Sequence, residues 1–242
     1  MNALRTAWLG TRAALFYAGY GALMIWFVPT ALLLALPLGR RFSAAYLHYW
    51  NHATLRWLRL CCGVRWQVEG LEHLPDGPCV LLAKHQSEWE TYFLPLLKQP
   101  ACSVLKRELL AIPVFGWGLR LSQPIAIDRS SPRMALKQIQ AQGLARLADG
   151  ISVVIYPEGT RIPVGQTGRY ARSGASLAIA AGVPVVAIAH NAGHCWPSRR
   201  FLKFAGTIQV RISEPFDTRD QDSRTLTDAV QTWIESHVAQ LP

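Results

Sequence analysis

A histidine followed five residues later by a carboxylate, His85 and Glu90 in Lys84-His-Gln-Ser-Glu-Trp-Glu90, is the pair in this chain with the types and spacing to move a proton. Inside one helix a separation of five sets two side chains roughly 140° apart around the axis, out of each other's reach. The flanking sequence offers another geometry. Cys79 to Ala83 is a short apolar run after the turn Pro75-Asp-Gly-Pro78, as expected of a buried strand, and Glu90 to Leu97 opens a helix. His85 then stands at the carboxyl end of a strand and Glu90 in a first helical turn. The helix dipole keeps that carboxylate ionised, it accepts the proton on one imidazole nitrogen, and the other nitrogen is left bare as a general base. Hydrolytic triads use the same logic. Ser87 lies only two residues from His85 and lacks the Gly-x-Ser-x-Gly elbow that exposes a nucleophile, so the base is expected to act on a hydroxyl carried by a substrate. Taken alone, the stretch also fits a satisfied surface histidine.

Two further stretches bear on that choice. Ile151 to Tyr156 repeats the buried-strand pattern and runs into Pro157-Glu158-Gly159-Thr160-Arg161. A strand ending in a glycine-bearing loop with an arginine suits a phosphate, because glycine lets backbone amides approach and guanidinium grips an oxyanion with two hydrogen bonds. A turn closed by a Glu158–Arg161 ion pair is the alternative. A third stretch, Lys106-Arg107-Glu108 through Trp117, again sets basic residues just after an apolar segment.

With these residues in view, the sequence resembles the glycerophospholipid acyltransferases of the 1-acylglycerol-3-phosphate type, over about residues 60 to 215. Four family motifs occur in order. The first, Asn-His with an Asp five residues after the histidine, reads Lys84-His85 with Glu90, so Glu replaces Asp and Lys replaces Asn. The second matches Lys106 to Leu110 with Gly116, followed by Ile125-Ala-Ile-Asp128-Arg129. The third is Tyr156-Pro-Glu-Gly-Thr-Arg161 and the fourth Gly182-Val-Pro184 through Ile188. The resemblance implies an acyl transfer catalysed by His85 and Glu90, with the acceptor's phosphate held by Lys106, Arg129, Glu158, Gly159, Thr160 and Arg161. Arg161 is the foremost of these, while Glu158 and Gly159 shape the loop. It implies acyl-CoA or acyl carrier protein as co-substrate, and no cofactor and no metal.

The elements that must position these residues follow from the rest of the chain. Its 242 residues are 50% hydrophobic and 17% charged, enough for one sizeable core. The formal charge of +10 calls for anionic partners. No zinc-finger spacing, RNA-recognition signature or basic heptad region points to nucleic acid. Ala13 to Gly39 carries no charge over about 27 residues, where a spanning helix needs about 20. Gly19, Gly21, Pro29 and Pro37 interrupt it, and Arg5, Arg12, Arg40 and Arg41 flank it on both sides, which gives no orientation by the positive-inside rule. One tilted spanning helix or a re-entrant pair of short helices fits, the pair better because both flanks are basic. Residues 43 to 60 read as an amphipathic helix rich in aromatics and cations, lying on a bilayer surface or packed on the core.

Val64 to Leu71 alternates like an edge strand, with Cys79 to His85 as its expected neighbour. Ala101 to Leu105, Pro124 to Ile127, Ile151 to Tyr156, Val185 to Ala189 and Thr207 to Ile212 supply further strands. Pro132 to Ala148, Ala175 to Ala181 and Thr225 to Ala239 supply helices. Strands alternating with helices predict an α/β fold, a mixed central sheet flanked by helices, with ligands at the strands' carboxyl ends. Residues 1–60 are expected to form a helical membrane module and residues 61–242 the acyltransferase domain. The glycine-rich loop 162–174 either covers the phosphate or is solvated. Five cysteines with no paired framework fit reduced thiols, and His48 with His52, or His190 with His194 and Cys195, lack the further ligands a metal needs.

The combined expectation is a protein on the cytoplasmic face of the bacterial inner membrane that acylates the free hydroxyl of a lysophosphatidic acid to give phosphatidic acid. Acylation of glycerol 3-phosphate or another lysolipid, a thioesterase, and non-catalytic binding of anionic lipid are the alternatives.

Overall fold

The computed structural model describes residues 2–242, apart from the side chains at 35–37, 40, 41, 43, 44 and 132, so the expected basic flank at Arg40 and Arg41 lies outside the described residues. The first element, α1 (Ala3–Cys62), is a helical hairpin: its backbone leaves helical geometry at Gly39, with φ 75° and ψ −174°, a conformation only glycine adopts readily. The two arms run antiparallel. Trp57 Nε1 donates to the carbonyl of Phe16 (3.1 Å), Arg12 Nε to that of Cys61 (2.6 Å), and the hydroxyls of Thr30 and Tyr46 meet at 2.6 Å. Gly19 makes the close approach possible, since a β-carbon there would lie 2.1 Å from the Trp57 indole. The expected re-entrant pair within residues 13 to 39 is therefore corrected. A helix passes unbroken through Gly19, Gly21 and Pro29, and its return arm is the amphipathic segment expected as a separate helix.

Seven strands follow: β1 (Val64–Glu69), β2 (Val80–Ala83), β3 (Ala101–Lys106), β4 (Ile125–Ile127), β5 (Ser152–Ile155), β6 (Val185–His190) and β7 (Gly206–Ile212). They form one sheet in the order β1-β7-β6-β2-β5-β3-β4, parallel except where β6 meets β7. The sheet is mixed, as the sequence predicts. β1 is an edge strand, but its neighbour is β7; β2 lies in the middle between β6 and β5. Adjacency in sequence misled there, because the chain returns to β1 only after every other strand is laid down.

β2, β5 and β6 are buried along their length, which is why they read as unbroken apolar runs. Leu81, Ala83, Val154 and Val186 face one core with Phe16, Leu55 and Leu58 of α1 and Trp89 and Phe93 of α2 (Trp89–Leu97). Val80, Leu82, Val153 and Ile155 face the other, with residues of α4 (Pro132–Ala148), α5 (Ser173–Ala181) and α7 (Ser223–Val238). α4 begins where Ser131 accepts a hydrogen bond from the Met134 amide and Pro132 takes the first turn. Two short helices, α3 (Phe115–Leu121) and α6 (Ala192–Cys195), complete the chain; α3 lies against α1, where Gly118 meets Val28. β2, β3, β4 and β5 thus bring Lys84-His85, Lys106, Arg129 and the 156–161 loop to one edge of the sheet.

Candidate active site

Leaving β2, the chain turns so that Glu90 folds back on His85. Glu90 Oε1 accepts from His85 Nδ1 (2.9 Å) and from the amides of Gln86 (2.9 Å) and Ser87 (2.7 Å). The Ser87 hydroxyl, fully buried, accepts from the amide of Trp89 (3.0 Å) at the start of α2. Glu90 is fully buried. Burial pushes its pKa up, but the hydrogen bond from His85, the nearby imidazoles of His190 and His85 and the Ser87 amide outweigh that and hold it below the usual range. With Nδ1 bound to a carboxylate, Nε2 is the His85 ring nitrogen left for another partner. Its ring lies flat on that of Tyr156, centroids 4.1 Å apart and planes 17° off parallel. Its backbone is held on both sides: the amide donates to Glu158 Oε2 (2.9 Å) and the carbonyl accepts from Ile162 (2.8 Å).

His85 borders a cavity of about 710 Å³. Tyr156, Thr160, Arg161, Lys106 and Arg129 also line it, and hydrocarbon from Phe27, Val28, Ala31, Leu105 and Leu119 makes up much of its wall. Arg161 is anchored through Nε to the Ser87 carbonyl (3.1 Å) and through Nη1 to Glu88 (3.0 Å). Arg129 donates to the Gly159 carbonyl. Burial lowers its pKa, opposed by Glu108 and reinforced by the like charge of Arg161. Lys106 sits half-exposed beside Glu108 (3.3 Å). The structure therefore gathers His85, Lys106, Arg129, Thr160 and Arg161 around one space.

Glu158 and Gly159 are placed otherwise. Gly159, at φ 67°, forms the turn, and Glu158 points into the protein. Glu158 Oε1 accepts from Lys84 Nζ (2.7 Å) and the Gly168 amide (3.2 Å), while Oε2 takes the amide of His85. Both oxygens being engaged away from the cavity, Glu158 braces the loop, unlike its expected place among the groups on the phosphate, and Arg161 pairs with Glu88 in place of the alternative Glu158–Arg161 pair. Loop 162–174 is exposed along residues 163–167, yet it is tied back to this brace: the carbonyl of Gln166 accepts from Lys84 (3.1 Å) and Ala171 donates to the Pro157 carbonyl (2.8 Å).

Sequence reasoning missed Lys84 itself, noted only as standing where the family has Asn. It is wholly buried, and besides Glu158 it meets Glu235 of α7 at 2.9 Å. No local pattern could have joined residues 151 positions apart. His190 is likewise internal: its Nε2 donates to the Lys84 carbonyl (2.8 Å), leaving Nδ1 to accept from Ala192 (3.3 Å). Among the described residues no three His, Cys, Asp or Glu converge as a metal site. The five cysteines are free and buried, and burial pushes Cys102, which borders the cavity, up to about 12, so it is a thiol at neutral pH.

Residues 65–191, which hold the His85–Glu90 pair and the Tyr156–Arg161 loop, match the family model described as Acyltransferase. The chain belongs to this family. Its fold and its motifs agree with the resemblance read from the sequence, and it is an O-acyltransferase. A 1-acyl-sn-glycerol-3-phosphate acyltransferase of Pseudomonas aeruginosa is 49% identical over 189 residues, 76% of this acyltransferase and 74% of the relative. One from Cocos nucifera is 24% identical over 232 residues, 95% of this chain and 74% of the relative. The crystal structure of the 1-acyl-sn-glycerophosphate acyltransferase PlsC from Thermotoga maritima superposes with a TM-score of 0.81, covering 99% of this acyltransferase and 97% of that chain at 22% identity, a likeness of fold.

Proposed function

We propose that this acyltransferase moves a fatty acyl group from the thioester of acyl-CoA or acyl carrier protein to the free hydroxyl of a 1-acylglycerol 3-phosphate, giving phosphatidic acid. The observation that carries it is the joining, around one cavity, of a carboxylate-backed imidazole with three cations and a hydrocarbon wall. His85 Nε2 takes the hydroxyl proton as the oxygen attacks the thioester carbonyl, Glu90 stabilises the imidazolium, and collapse of the tetrahedral adduct expels the thiol, which recovers the proton. Arg161, Arg129 and Lys106 hold the phosphate, with Thr160 as a hydroxyl donor, and Gly159 sets the turn that presents them. The apolar wall receives acyl chain. No cofactor or metal enters this scheme.

Residues 1–60 serve as the membrane module and 61–242 as the catalytic domain. Ala3–Leu34 is apolar and long enough to cross a bilayer, only 11% of its most apolar window is buried, and Trp8, Ile25, Trp26 and Leu33 are exposed on it. A hairpin turning at Gly39 returns both arms to one side, the cytoplasmic face of the bacterial inner membrane, where both co-substrates and reduced thiols are found. The test is transfer from radiolabelled acyl-CoA, and from acyl carrier protein, to lysophosphatidic acid by detergent-solubilised protein, beside His85→Ala and a panel of other lysolipids. Phosphatidic acid from wild type alone supports the assignment. Transfer only to another acceptor replaces the substrate, and none to any acceptor defeats the proposal.

A further inference from the structure

The ion cluster behind the catalytic loop has no part in the chemistry above, yet it joins the end of β2, the 156–161 loop, the loop 162–172 and α7. Lys84 Nζ reaches Glu158 Oε1 at 2.7 Å and both oxygens of Glu235, at 2.9 and 3.2 Å, with all three side chains of Lys84, Glu158 and Glu235 buried or nearly so. The Tyr170 hydroxyl donates to Glu235 Oε1 (2.7 Å) and that of Thr167 to Oε2 (3.0 Å). Glu158 passes the constraint on to the His85 amide, and His190 holds the carbonyl of Lys84 from the other side. The formal charge is one cation against two carboxylates, −1. Two carboxylates this close tolerate ionisation only with a cation between them.

We propose that Lys84 and Glu235 are positioning residues of the acyl transfer: Lys84 balances the charge on Glu158 while Glu235 holds the Lys84 ammonium in place, and together they fix the backbone of His85 and the loop 162–172, tying the carboxyl-terminal helix α7 to the general base. Neither touches the cavity, so both act through Glu158. This inference rests on His85 being that base. Lys84→Gln leaves two facing carboxylates, a charge of −2, and forces Glu158 to move or take a proton. Adding Glu235→Gln removes the facing charge and leaves Glu158 held by the amides of His85 and Gly168.

The experiment is steady-state transfer of radiolabelled acyl groups from acyl-CoA to lysophosphatidic acid by the full chain in detergent. Lys84→Gln is expected to lower kcat at least 10-fold with KM for lysophosphatidic acid within about 3-fold, and the double variant, relieved of the facing charge, to regain at least 3-fold of that loss. Effects that add, or a change confined to KM, overturn the proposal. If Lys84→Gln does not fold, Tyr170→Phe and Glu235→Gln, measured at unchanged melting temperature, must lower kcat several-fold; unchanged kcat in both overturns it. His85→Ala runs alongside: full turnover there defeats the assignment of the base, whereas an inactive His85→Ala beside additive hub variants defeats this proposal alone.

Discussion

Lys84 and His85 are consecutive at the end of β2 and enter opposite halves of the molecule, as strand alternation requires. Lys84 goes to the side packed by α7, into a closed cluster with two carboxylates and a carbonyl around its ammonium. His85 goes to the side of α2, where one ring nitrogen is bound to Glu90 and the ring borders the cavity with Arg161, Arg129 and Lys106. The difference separates holding from reacting. A buried charge is stable only when balanced and hydrogen-bonded, which rigidifies whatever backbone is attached to it. In the proposed mechanism the general base must keep one nitrogen uncommitted, and its rigidity has to come from elsewhere. Here it comes from the stacked Tyr156 ring, from Glu90 and from the neighbouring hub.

That division is broken most completely at His85. His85→Ala is expected to lower kcat by about 10²–10⁴ with only a small fall in melting temperature, since buried Glu90 loses one donor but keeps the amides of Gln86 and Ser87. A variant equally slow but several degrees less stable would place the histidine on the holding side. Glu90→Gln keeps the side chain's size but offers His85 a different tautomer partner, and a loss of about 10² or more in kcat is expected. Because Glu90 also accepts the Gln86 and Ser87 amides, the substitution tests whether a residue serves both halves. It does so if kcat and thermal stability fall together.

Arg161→Ala should act differently, through the acceptor. Loss of a charge-assisted contact to phosphate corresponds to about 10–100-fold in kcat/KM for lysophosphatidic acid, carried by KM. A monoacylglycerol, which lacks the phosphate, should be nearly indifferent to the change. Equal losses with both acceptors would mean that Arg161 works mainly by bracing Ser87 and Glu88, on which it also rests.

The same contrast explains what could be read from the sequence. His85 and Glu90 lie within one strand, turn and helix start, and the apolar run before them with the helix after them fixes their geometry locally. β3, β5, β6, β7 and α4 are legible for a like reason, because burial on both faces in β5 and β6, alternation in β3 and β7, and the Ser131-Pro132 start of α4 leave their pattern within a few residues. The Lys84–Glu235 contact joins residues whose own neighbourhoods say nothing about each other. Glu158 looked like a phosphate ligand for the same reason: its loop composition was visible and its buried partner was not. The place of β1 and the return of α1 at Gly39 are also set by packing across the whole chain.

The second fully buried lysine sharpens the comparison. Lys203 has no carboxylate in contact; its Nζ donates to the carbonyls of Arg200 (2.7 Å) and Phe201 (2.9 Å) and to the Tyr17 hydroxyl (2.9 Å), with the rings of Tyr17 and Trp196 facing it at 4.8 and 5.2 Å. Burial, only partly opposed by the more distant Glu88, pushes its pKa from 10.5 down to about 8. The folded state therefore loses this proton near pH 8 and the unfolded state near 10.5. Between those values the unfolded chain binds more protons, so stability rises with pH, and below about 8 the fold bears the full cost of the buried charge, about 3 kcal/mol. Lys203→Met removes that dependence: subtracting its denaturation midpoints from those of wild type should leave a difference that moves in favour of wild type from pH 8 to 10.5. A flat difference would mean that carbonyls and aromatic faces hold the ammonium as well as the two carboxylates hold Lys84, and that charge balance is not what distinguishes the hub.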